Sequence, residues 1–84
     1  MPATREKIAE VLESPHWTLG EKMVVKWQFG LLGDFYAALF NAIKRADEDN
    51  LTKLAQGFPA EVGGFIQWSA GDLGHRLRAA GLEI

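Results

Sequence analysis

Apolar residues recur along this chain at spacings of three and four, and no segment alternates with period two. Ile8, Val11 and Leu12 form a narrow stripe with Glu6, Lys7 and Glu10 on the wet side, predicting a helix from about Thr4 to Leu12. Thr4 is the expected N-cap, and Pro15 ends the segment because the residue before a proline is pushed out of the α region. The string Thr18-Leu19-Gly20-Glu21 has the form of a capping box and opens a second helix, with Trp17 just ahead of the cap to staple onto Lys22 or Met23. Its phase runs Val24, Trp27, Leu31, Phe35, Leu39, Ala42, straight through Gly30 and Gly33. The unbroken phase predicts one long or kinked helix to about Arg45; the alternative is a break near Gly30–Gly33 with Asp34 capping a new helix. Leu32, Tyr36, Phe40 and Ile43 widen the apolar stripe, so this segment is either central in a bundle or part of an interface.

Asp47 is a good N-cap for a third helix, Glu48 to Gln56, with Glu48 and Asp49 opposing the positive helix end. Gly57 is expected in the left-handed position that stops it, with Phe58 as the following hydrophobic contact. Pro59 suits the first position of a fourth helix with Val62, Phe65 and Ile66 as its apolar face, which Gly63-Gly64 should weaken and shorten. A fifth helix is expected from Ala70 or Gly71 to Ala80, capped by Ser69, with Leu73, Leu77 and Ala80 inward and Gly81 as the stop. The result is an all-α fold: one domain, residues 1–84, built as a compact bundle of four to six helices.

Composition narrows the chemistry. Hydrophobic residues make up 48% of the 84, including three Trp and five Phe, enough for a core and too aromatic for a disordered chain. No cysteine is present, which excludes disulfides and thiolate metal sites. The polar N-terminus and the lack of an apolar run near 20 residues predict a cytoplasmic chain that does not enter a membrane. His16 and His75 have no metal-ligand spacing, and Ser14 and Ser69 stand in no nucleophile elbow. Gly30-Leu31-Leu32-Gly33-Asp34 lacks the Gly-Lys-Ser/Thr ending of a phosphate loop. We therefore expect no enzyme and no cofactor.

Three surfaces remain as candidates. Asp34, Asp47, Glu48 and Asp49 can form an acidic patch facing a basic groove on a partner, although helix capping alone accounts for Asp47–Asp49. Trp17, Trp27, Tyr36 and Trp68 supply a candidate apolar interface, and a homodimer through the second helix is one way to hide it. His75, Arg76 and Arg78 on the last helix are the residues a helix-turn-helix would aim at DNA, but the net charge of −2 argues against nucleic-acid binding.

The run Ala46-Asp47-Glu48-Asp49-Asn50-Leu51, followed by Leu54-Ala55-x-Gly57-Phe58-Pro59-x-Glu61-Val62 and Phe65, resembles small helical proteins of bacteriophages, prophages and integrative elements. The upstream pattern Phe35-Tyr36-x-x-Leu39-Phe40-x-x-Ile43 belongs to the same resemblance, which covers about residues 31–68. It implies a mobile-element protein working in the host bacterial cell. Small acidic proteins of such elements include the anti-CRISPR proteins, many of which occupy the nucleic-acid groove of an effector complex without catalysis. By that analogy the expected partner is a host protein complex such as a CRISPR–Cas type I surveillance complex.

Overall fold

The computed structural model describes residues 2–84, with side chains from Arg5 onward. Six helices are present among the described residues: α1 Pro2–Glu13, α2 Leu19–Gln28, α3 Asp34–Arg45, α4 Glu48–Gly57, α5 Pro59–Ser69 and α6 Asp72–Ala79. The all-α expectation holds, at the upper end of the expected number of helices.

The long central helix does not form. Phe29 caps α2, and Gly30 follows at φ 70°, the left-handed conformation that glycine adopts without a Cβ penalty. The Gly30 amide donates to the Trp27 carbonyl at 3.2 Å and the Leu31 amide to the Lys26 carbonyl at 2.7 Å. That pair of bonds is a Schellman motif, which satisfies carbonyls a helix end leaves orphaned. The apolar phase that runs through this point is therefore shared by two helices joined at a turn. Gly33, not Asp34, stands at the N-cap of α3, and Asp34 is its first helical residue.

Other ends depart from expectation by smaller amounts. α1 begins at Pro2, so Thr4 lies inside its first turn and its capping role falls outside the described side chains. Gly57 closes α4 as a helical residue; it is absent from the positive-φ glycines, which are Gly30, Gly71 and Gly81. Phe58 instead serves both helices, its amide donating to Leu54 and its carbonyl accepting from Val62. Ser69 ends α5 and caps nothing, since Gly71 at φ 88° is the N-cap of α6. Gly81 does stop α6 as predicted, with Gly81 and Leu82 amides returning to the Arg78 and Leu77 carbonyls.

Gly63-Gly64 does not shorten α5, which runs through both residues. α2 and α5 share the most extensive helix contact, and it is made where glycine faces glycine. A Cβ on Gly20 would fall on the Ala60 carbonyl oxygen, and one on Gly64 would fall on the Gly20 carbonyl oxygen. Gly20 and Gly64 are thus fixed by backbone approach, while Gly63 faces open space.

Two apolar clusters form the core. The larger joins Val11, Trp17, Met23, Val24, Val25, Phe40, Leu73, Leu77 and Leu82, tying α1, α2 and α6 to one residue of α3. The smaller joins Leu39, Ile43 and Val62, with Leu51, Leu54 and Phe58 against it. Phe65 of α5 packs on both.

Candidate functional site: an apolar face and an acidic helix head

The capping box predicted at the head of α2 is complete. The Glu21 amide donates to the Thr18 hydroxyl at 3.2 Å, and the Thr18 amide donates to Glu21 Oε1 at 2.8 Å. Glu21 has a second role that local spacing does not reveal. Its Oε2 accepts from Arg76 Nη2 at 2.7 Å, joining the head of α2 to α6. Arg76 also donates to Gln67 at 3.0 Å and Asp72 at 3.1 Å, and lies 5.6 Å from the centroid of the Trp17 ring. Burial pushes the Glu21 carboxyl up. Hydrogen bonds from Thr18 and Arg76, with the Arg76 charge, outweigh that and hold it below its ordinary 4.5.

This network decides the basic candidates. Arg76 is a structural cation whose guanidinium is engaged by Glu21, Gln67 and Asp72. Arg78 donates to the Ile84 carbonyl at 3.3 Å and lies over Gly74. His75 is exposed. Of the expected trio, Arg76 and Arg78 thus hold hydrogen bonds within the chain while His75 is exposed.

The four aromatic candidates separate as well. Trp17 is buried in the larger cluster, not exposed at an interface. Trp27 is half-buried, stacked on Phe40 at 5.4 Å and tilted onto Phe65 at 6.0 Å, and Trp68 is half-buried against the same cluster. Only Tyr36 is exposed, and it has company that aromatic counting passed over. Among the described residues the exposed large hydrophobics are Leu19 at 65%, Leu31 at 55%, Phe35 at 62%, Tyr36 at 39% and Ile66 at 51%. Leu19, Leu31 and Tyr36 line one groove of about 320 Å³ between α2 and the start of α3, floored in part by Met23 and by the buried Glu61 of α5. Phe35 adjoins it, edge-on to Tyr36 at 5.2 Å. Leu19, Leu31 and Tyr36 thus share one groove with Phe35 at its edge, tilted also onto Phe58 at 6.1 Å, and the turn at Gly30 is what brings Leu31 and Tyr36 to the groove that Leu19 lines. A single long helix would have strung them along a rod.

The acidic residues form one cluster and one outlier. Asp47, Glu48 and Asp49 are exposed at the head of α4, where Asp47 Oδ1 accepts from the Asn50 amide at 2.8 Å. None of the three is ion-paired among the described residues. Asp34 heads α3, whose 12 residues span ~18 Å, so it does not join them. It stands instead beside the apolar face. Among the described residues no group of three or more His, Asp or Glu is placed to hold a metal, and no helix is long and apolar enough to cross a membrane.

No family model, curated protein or solved structure matches this chain.

Proposed function

We propose that the chain is a non-catalytic interaction protein that acts by covering the surface of another macromolecule. The observation that carries this reading is the collection of Leu19, Leu31, Phe35 and Tyr36 on one face. Contiguous apolar patches on small soluble domains mark contact surfaces, because each exposed side chain of this size forgoes on the order of 1.5–3 kcal/mol of burial.

The finer reading follows the resemblance of residues 31–68 to mobile-element proteins. On it, the chain inhibits a host nucleic-acid-handling defence complex, anti-CRISPR fashion, against a type I surveillance complex. The acidic head of α4 supports the electrostatic part of that reading: Asp47, Glu48 and Asp49 present three exposed carboxylates that compete with phosphate for Lys and Arg in a nucleic-acid groove. Purified type I surveillance complex incubated with the chain should lose target-DNA binding. Reversing Asp47, Glu48 and Asp49 to Lys should restore it. Full DNA binding in the presence of excess unmodified chain would end the inhibitor reading.

A further inference from the structure

We propose that the occupant of the apolar face is a second copy of this chain, related to the first by a twofold axis through Leu31, Phe35 and Tyr36. The inference rests on reading that face as a contact surface, and it names the partner. Area is the first argument. Free side chains of this size carry on the order of 150–250 Å² each, so four at the observed exposures leave roughly 350–550 Å² of apolar surface. A standard interface takes about 800 Å² from each partner, and about two thirds of a homodimer interface is apolar, or roughly 520 Å². The face is therefore of the size and character that one symmetric dimer needs.

Charge is the second argument. A twofold contact is self-complementary only if each copy carries both halves of every pair. Lys26 lines the groove from the last turn of α2, and Asp34, the first residue of α3, directly follows Gly33, which lines the groove across from it. Neither is ion-paired within the described chain, and both are exposed. Turning one copy over onto the other sets Lys26 of each against Asp34 of its mate, two reciprocal pairs around an apolar centre. The acidic heads of α4, about one helix length away from Asp34, stay outside the contact, so the dimer presents two of them.

Sedimentation velocity of the full chain over a wide concentration range tests this directly. A reversible monomer–dimer equilibrium is expected. Phe35→Asp and Leu31→Asp sit on exposed side chains and should leave the helical circular dichroism intact while raising the dimer dissociation constant by about a hundredfold or more, since each change enters the dimer twice. Lys26→Glu and Asp34→Lys should each raise it roughly two- to thirtyfold, two exposed pairs being lost, and the two together should restore dimerisation. A chain that stays monomeric throughout, a dimer indifferent to Phe35→Asp, or a charge swap that fails to restore association overturns the proposal. A monomer whose Phe35→Asp variant also loses the surveillance complex would overturn the second copy and leave the contact reading standing. A dimer that leaves the surveillance complex's DNA binding untouched would do the reverse for the inhibitor reading.

Discussion

Glu21 and Arg76 should be energetically coupled, and the structure sets how strongly. Glu21→Gln keeps an oxygen for the Thr18 amide, so the capping box survives while the charge facing Arg76 is lost. The Glu21 side chain is 6% exposed and that of Arg76 37%. Breaking a fully buried pair from one side costs about 3–5 kcal/mol, whereas exposed pairs are worth about 0–1. A pair buried at one end and wetted at the other falls between them, near the value of a hydrogen bond to a charged group, about 1.5–2.5 kcal/mol. Arg76→Ala should cost slightly more, about 2–3 kcal/mol, because the contact over Trp17 goes as well. The double variant should cost about 1–2 kcal/mol less than the sum of the singles. Urea unfolding followed by circular dichroism measures all four corners, and Glu21→Gln should lower Tm by about 10 °C in a chain of this length. The pH dependence has a fixed sign. The folded-state pKa of Glu21 lies below the unfolded value, so folding favours the ionised form. Its stabilisation is complete above the ordinary carboxyl pKa and disappears as pH falls through the folded value. The gap in urea midpoint between parent and Glu21→Gln should hold from neutral pH down to the ordinary carboxyl range and close on further acidification. A coupling below about 0.3 kcal/mol, or a gap that widens in acid, would refute the reasoning.

Three further outcomes test the scaffold. Gly64→Ala should destabilise by roughly 3 kcal/mol, because the new Cβ meets the backbone of Gly20 and the two helices must part; Gly63→Ala, one residue away and facing open space, should stabilise by about 0.5–1 kcal/mol. Equal effects at the two positions in thermal melts would contradict the α2–α5 crossing. Gly30→Ala should cost about 1 kcal/mol through left-handed strain although nothing stands near the new methyl, and a neutral result would argue for the continuous helix. Asp47→Ala should cost about 1 kcal/mol as a lost cap, read by urea unfolding.

What was legible in the sequence was the chemistry of neighbours. Thr18 with Glu21, Asp47 at an N-cap and Pro59 at a first helical position each act within a few residues, and each took its predicted place. What was not legible was the competition between two local signals, or any contact distant in sequence. At Gly30 the apolar phase argued for continuity and the glycine for a stop. The stop prevailed because Leu31 completes the Schellman bonds and Phe40 still reaches the larger core from α3. The value of Gly64 depends on Gly20, and the role of Arg76 on Glu21, 55 positions earlier. Neither pairing leaves a trace in spacing. The apolar face was hidden for the same reason: Leu19 and Tyr36 come to line one groove only once the chain turns.

That turn links stability to the proposed contact. Gly30 and the Schellman bonds fix where the chain leaves α2 at Leu31, and Gly33 lets α3 start with Asp34 beside the groove. The other flank of the groove is α2 itself, positioned by the Gly20–Gly64 crossing and by Glu21. Leu19 lies between Thr18 and Gly20, inside the capping box and against the crossing, so whatever loosens the head of α2 also moves one corner of the apolar face. Glu21→Gln should therefore weaken self-association as well as folding, while Gly63→Ala should change stability and leave the dimer constant alone. Sedimentation of the two variants under conditions where both remain folded separates these effects. Equal dimer constants would show that the face is set by the Gly30 turn alone and not by the anchoring of α2.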